Sequence, residues 1–190
     1  DKDKRKSMKI RFSGRSSDYI SPSFGHGCLY NCSYCYMKRN KPTGLSIATN
    51  TEQILSEIDS HSWFATVEKP NQTHPEFITY DISCNEDFAL HAKHHEWQKI
   101  FQFFRDHPRA MATLATKTIP IKFLTYNPNK KVRIRFSLMP EKHRLILEPN
   151  TSKTFERINA INTFIEAGYD VHINFSPVIV TEDWHSLYEE

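Results

Sequence analysis

Cys28, Cys32 and Cys35 stand within eight residues, in the run Gly25-His26-Gly27-Cys28-Leu29-Tyr30-Asn31-Cys32-Ser33-Tyr34-Cys35-Tyr36. A C-x3-C-x2-C spacing can bring three thiolates to one iron–sulfur cube and leave its fourth iron without a protein ligand. A cluster that only carries electrons normally takes four thiolates. The next cysteine, Cys84, lies far downstream. An open iron is a place where chemistry can happen, so the motif points to a [4Fe–4S] cluster bound through Cys28, Cys32 and Cys35. The alternative is a structural zinc site with His26 or Cys84 as fourth ligand, although zinc sites usually pair their ligands as C-x2-4-C with a second such pair.

The elements that must hold this loop can be read from the rest of the 190 residues, enough for one domain with a core of its own. The net charge of +3 is unevenly placed. Residues 1–16 carry Lys2, Lys4, Arg5, Lys6, Lys9, Arg11 and Arg15 against Asp1 and Asp3, which leaves the remainder slightly acidic. This segment reads as a basic, flexible leader ahead of a domain over 17–190; such leaders are attracted to phosphate backbones, but more often they are simply solvated. The chain opens at Asp1 without a methionine and closes inside the amphipathic run Trp184-His185-Ser186-Leu187-Tyr188. It is therefore expected to be truncated at its C-terminus. No apolar stretch suggests a signal peptide or a membrane helix, so a cytoplasmic location is expected, which suits free thiols and an oxygen-sensitive cluster.

Along the chain, strand and helix patterns alternate. Asp18 to Phe24 reads as a strand entering the cysteine loop, and Lys38 to Asn50 as a polar connector. Asn50 or Thr51 caps a helix with Ile54, Leu55 and Ile58 on one face. A strand over Phe77 to Ser83 ends at Cys84. The next helix carries Trp97, Ile100, Phe101 and Phe104 at i, i+3, i+4, i+7 and stops at Pro108. Strands follow at Ala112–Thr116 and Val132–Leu138. A helix capped near Thr151 is expected to bury Phe155, Ile158, Ile161 and Ile165 and to end at Gly168. The last strand is Val171–Phe175. Alternating strands and helices predict parallel βαβ units, an α/β fold of about five strands that is too small for a closed eight-stranded barrel. A partial barrel or an open sheet is left. The cysteine loop, Cys84, Lys117 and Ser137 all fall at the C-terminal ends of strands, where such folds place their functional residues. The ten histidines show no ligand pattern, and His91, His94 and His95 read as a polar helix face.

The cluster motif, with its aromatic directly before the last cysteine, resembles the signature of the radical S-adenosylmethionine (radical-SAM) enzymes. The segments Ile82-Ser83-Cys84-Asn85-Glu86-Asp87, Ala115-Thr116-Lys117-Thr118, Arg135-Phe136-Ser137-Leu138 and Glu166-Ala167-Gly168-Tyr169, in that order, are similar to the spore photoproduct lyase family within it. The resemblance implies a partial (β/α) TIM-like barrel of the radical-SAM type and two cofactors, the [4Fe–4S] cluster and S-adenosylmethionine. It implies hydrogen abstraction from a thymine photolesion in DNA, with an electron donor such as a flavodoxin or ferredoxin. By the same resemblance Cys84 returns a hydrogen atom to the substrate and Tyr34 and Tyr36 take part in radical relay. Lys117 and Ser137 hold the carboxylate and neighbouring polar groups of S-adenosylmethionine, and the plainer alternative to relay for Tyr34 is packing on its adenine. Each residue has a plainer reading as well: Cys84 as a small buried hydrophobe, Tyr36 as core and Lys117 as a solvated strand end. The runner-up functions are a lyase-like radical-SAM enzyme with another substrate and a non-catalytic iron–sulfur or nucleic-acid-binding protein.

Overall fold

The computed structural model describes residues 9–12, 16–37, 44–65 and 74–189. Five strands form one sheet in the order β1 (Tyr19–Ile20), β4 (Ile78–Asp81), β5 (Ala110–Thr116), β6 (Val132–Leu138) and β7 (Asp170–Phe175). All four pairings are parallel. A small antiparallel pair, β2 (Gly25–His26) and β3 (Ser46–Ile47), stands apart from it. The α-helices whose bounds lie within the described residues are α1 (Thr51–Phe64), α2 (Trp97–Asp106), α3 (Glu141–Leu147), α4 (Thr154–Glu166) and α5 (Trp184–Glu189). The expected βα alternation is present. None of the helices in the described residues is long and apolar enough to cross a membrane.

Alternation along the strands divides the sheet into two chemically different faces. Tyr80, Ile82, Ala110, Ala112, Leu114, Val132, Ile134 and Phe136 join Ile54, Leu55 and Ile58 of α1 and Ile100, Phe101 and Phe104 of α2 in one apolar core. Several intervening positions are polar: Thr113 donates to Asp18 Oδ2 at 2.8 Å, and Arg135 pairs with Asp18 at 3.0 Å and Asp81 at 3.3 Å. His107 fastens α1 to the start of β5. Its Nδ1 accepts from the N–H groups of Arg109 and Ala110, so the ring proton sits on Nε2 and is donated to Asp59 at 3.0 Å.

Three local expectations are corrected. The strand expected over Asp18 to Phe24 is only Tyr19–Ile20, because Pro22 lacks the N–H that would extend the ladder, and the chain turns away into β2. The connector expected over Lys38 to Asn50 contains β3, and its residues 38–43 lie outside those described. The largest correction concerns α4. Phe155, Ile158 and Ile165 are 54%, 47% and 46% exposed, whereas Arg157 and Phe164 face inward, with Ala160 and Ile161 partly buried beside them. The inward face is chosen by polar chemistry. The Arg157 guanidinium, with no exposed surface, donates to Ser137 O, to Ser152 O at 2.7 and 3.1 Å, and to Thr151 Oγ1 at 3.2 Å. The helix ends as expected at Gly168, whose φ of +93° suits a residue without Cβ.

Arg157→Ala is expected to lower stability by about 3–5 kcal/mol, because it strands buried carbonyls and a buried carboxylate. Phe155→Ser on the outer face should stay within about 0.5 kcal/mol. Urea unfolding midpoints of the two variants decide which face of α4 is structural.

Candidate active site

The cysteine loop and the strand ends that carry Cys84, Lys117 and Ser137 converge as expected. A cavity of about 340 Å³ at the C-terminal rim of the sheet is lined by Cys28, Cys32, Cys35, Tyr34, Tyr36, Cys84, Lys117 and Ser137, together with Asp81, Asp87 and Ser176 among others. That volume suits a small-molecule ligand. His26, the alternative zinc ligand, is exposed and does not line it.

Hydrogen bonds to three neighbouring segments hold the cysteine loop. Gly27 N–H donates to Asn85 O at 3.0 Å, Ser33 N–H to Leu147 O at 2.9 Å, and Asn150 Nδ2 to Tyr30 O at 3.3 Å. Gly27 has φ +108°, and a Cβ there would collide with the Gly44 carbonyl. Between the last two cysteines the chain makes a tight turn, with Cys35 N–H donating to Cys32 O at 3.1 Å. Burial pushes the Cys28 and Cys32 thiols up to about 11, with smaller contributions from nearby Asp87 and Glu148 respectively. They are protonated in the metal-free protein, and metal uptake must displace those protons. Among the described residues no three His, Cys, Asp or Glu side chains are gathered around a single-ion point. A four-iron cube makes a different demand, because each thiolate holds a separate corner.

Cys84 follows β4 on a loop tied to the end of β5. Ser83 Oγ donates to Ala115 O at 3.2 Å, and Asp87 accepts from Thr116 Oγ1 at 2.8 Å and from Lys117 N–H at 3.0 Å. This pinning places the thiol and Lys117 on one cavity. Arg11 approaches from the basic N-terminal segment, held by paired backbone bonds with Ile20 at 2.9 Å, and points Nη2 at Cys84 Sγ at 3.4 Å. Burial and Asp81 raise the Cys84 thiol above its ordinary range, and Arg11 opposes them. Lys117 Nζ reaches Ser176 O at 3.3 Å and Glu148 Oε1 at 3.4 Å, so it is a paired cation rather than a solvated strand end. Phe136 of β6 is in register with Thr116 of β5, which sets Ser137 beside Lys117. Tyr36 is 54% exposed, which rules out the core reading for it.

Several residues at the site escaped sequence reasoning. Glu148 and Arg11 sit far from the motifs in sequence, and only the fold brings them to Lys117 and Cys84. Glu86 was visible in its motif, yet its partners were not. His91 and His95, expected on a polar helix face, are buried against its carboxylate at 3.2 and 2.9 Å, because the segment makes a 3-10 turn (Ala92–His94) instead of an α-helix.

Comparison with known proteins bears on this arrangement. A family model described as spore photoproduct lyase matches residues 3–190. The spore photoproduct lyase of Bacillus subtilis (strain 168) is 28% identical over 188 residues, which cover 97% of this chain and 52% of that protein. The spore photoproduct lyase of Clostridium acetobutylicum is 23% identical over 190 residues, covering 98% and 54%. The chain thus spans about half the length of the curated relatives it matches. Among solved structures, a spore photoproduct lyase complexed with dinucleoside spore photoproduct aligns with a TM-score of 0.81 at 23% identity, over 97% of this chain and 53% of that one. A double mutant with bound AdoMet and dinucleoside spore photoproduct aligns at 0.81 and 22% identity, with the same coverage. These likenesses show a shared fold.

The contact between Arg11 and Cys84 yields a direct test. Arg11→Met removes the opposing positive charge, so the Cys84 thiol should titrate higher and its alkylation at a fixed mildly alkaline pH should slow. Peptide mass spectrometry of Cys84 labelling across pH measures this, and an unchanged profile would show that the contact does not tune the thiol.

Proposed function

We propose that this chain, which belongs to the spore photoproduct lyase family of the radical-SAM superfamily, carries the cluster and cofactor site of an enzyme that repairs a thymine photolesion in DNA. One observation carries the reading: three motif cysteines, a fourth separate cysteine, a lysine and a serine from different strand ends all line a single cavity. The donor set fits a four-iron cluster with one open corner, since Cys28, Cys32 and Cys35 supply three thiolates and Cys84 is held apart by its own loop. When bound, the cluster and S-adenosylmethionine supply a 5′-deoxyadenosyl radical, chemistry that belongs to the cofactors rather than to the protein.

The chain's own residues bind, orient and return hydrogen. Lys117 offers a cation to the methionyl carboxylate in a partly dry site, where a charge-assisted hydrogen bond is stronger than a neutral one. Ser137 lies beside it with a hydroxyl. Cys84 faces the same cavity as a protonated thiol, the form that carries a hydrogen atom to give. Tyr36 stands next to it, its hydroxyl donating to Asn85 Oδ1 at 3.1 Å. A one-electron donor of the flavodoxin or ferredoxin class would feed the cluster, and a methylene-bridged thymine pair in DNA would be the substrate.

The test uses full-length protein, reconstituted anaerobically and reduced, with an oligonucleotide carrying the lesion. Wild type should bind four irons per chain, release 5′-deoxyadenosine and restore two thymines. Alanine at Cys28, Cys32 or Cys35 should abolish iron retention. Cys84→Ala should keep iron and still cleave S-adenosylmethionine, but give aberrant adducts in place of thymines. Clean repair by Cys84→Ala removes the hydrogen-donor role. Cofactor cleavage without any lesion repair by wild type assigns another substrate, and a loaded wild type that never cleaves the cofactor defeats the enzyme reading altogether.

A further inference from the structure

Tyr34 and Tyr36 flank Cys35, yet their hydroxyls are held by different segments of the chain. Tyr36 donates to Asn85, the residue after Cys84, and lines the same cavity as that thiol. Asn85 is itself locked, in a left-handed conformation with φ +71° and its amide donating to Ser23 Oγ at 2.8 Å. Tyr34 instead donates its hydroxyl to Oε1 of Glu148, on the Lys117 side.

Glu148 is 1% exposed and sits directly after α3. Its Oε1 meets the Tyr34 hydroxyl and Lys117 Nζ at 3.4 Å; its Oε2 meets Arg157 Nη2 at 3.6 Å and Thr151 Oγ1 at 3.5 Å. A buried carboxylate is costly unless paired, and here two cations and two hydroxyls surround it. Lys117 and Arg157 bring two positive charges against the single negative charge of Glu148. Of these three charged groups only Lys117 lines the cavity, so it is the one an incoming carboxylate can meet.

We infer that Glu148 is a positioning residue of the cofactor site: it holds Lys117 toward the carboxylate of S-adenosylmethionine and anchors the cysteine loop through Tyr34. Tyr34 is then a mooring for the loop, and Tyr36 alone stands beside the Cys84 thiol. The inference rests on the cofactor reading above, but the Tyr34–Glu148–Lys117 contact exists without any cofactor and can be tested separately.

Two measurements on the full-length protein decide it. In metal-free protein, urea unfolding of Y34F, E148Q and the double variant should give strongly non-additive losses, the double variant falling no further than the worse single one. In reconstituted protein, Y34F and E148Q should each raise KM for S-adenosylmethionine about tenfold, the scale of one hydrogen bond to a charged group, with a smaller effect on kcat. E148D should recover part of that affinity, and Y34F should leave the identity of the repair products unchanged. Additive stability losses, or altered products from Y34F at an unchanged KM, would overturn the inference. A wild-type protein that never cleaves the cofactor would sink the functional reading while the unfolding cycle still decides the Glu148 contact.

Discussion

A guanidinium cannot be deprotonated at any working pH, so once Arg157 is buried its surroundings must supply acceptors. They come from Ser137 at the end of β6, from Thr151 and Ser152 on the following loop, and from Glu148. This demand draws the end of β6, the loop after α3 and the first turns of α4 together. Glu148, fixed in that way, is available to Lys117 from β5 and to Tyr34 from the cysteine loop. Three chain segments far apart in sequence thus meet through one buried carboxylate behind the cavity. Without Arg157 the negative charge would have a single cationic partner, and the rim would lack its common point.

The sheet supplies the complementary constraint. Its apolar face is committed to α1 and α2, so titratable chemistry is confined to the alternate positions and to the strand ends. Asp81, Thr113 and Arg135 share that polar face, and together with Asp18 they form one hydrogen-bonded and ion-paired group. Parallel strands end on the same rim, which is why Cys84, Lys117, Ser137 and Ser176 converge without any local sequence relation between them. Asp87 then binds the loop after β4 to the end of β5. The cysteine loop is held by backbone bonds to its neighbours and by the Tyr34 hydroxyl on Glu148.

Much of the fold was legible in the sequence because its signals are local. Alternation in Val132-Arg133-Ile134-Arg135-Phe136-Ser137 states which residues share a face, and β6 spans those residues. The 3.6-residue periodicity of α2 likewise named its buried residues, Ile100, Phe101 and Phe104. The same reasoning failed for α4, whose apolar residues occupy more than one face. Periodicity identifies a helix, but it cannot say which stripe a neighbour will cover when a buried arginine competes for the inward position. His91 and His95 failed for a related reason: the cost of leaving Glu86 unpaired in the interior drew them in, and that cost is invisible until the carboxylate's surroundings are known.

The sequence by itself determined the chemistry on offer, since the spacing of Cys28, Cys32 and Cys35 is a property of a few adjacent residues and needs no fold to be read. It also determined that Cys84, Lys117 and Ser137 would reach the same rim, because parallel βα units leave strand ends nowhere else to go. Only the tertiary structure decided how those groups are held: that Arg11 faces Cys84, that Lys117 is paired with Glu148, and that Tyr34 bonds Glu148 while Tyr36 bonds Asn85. The physical reason is that buried charges and hydroxyls choose partners by proximity in space, and contacts such as Arg11 to Cys84 or Tyr34 to Glu148 join residues whose separation along the chain carries no trace of the pairing.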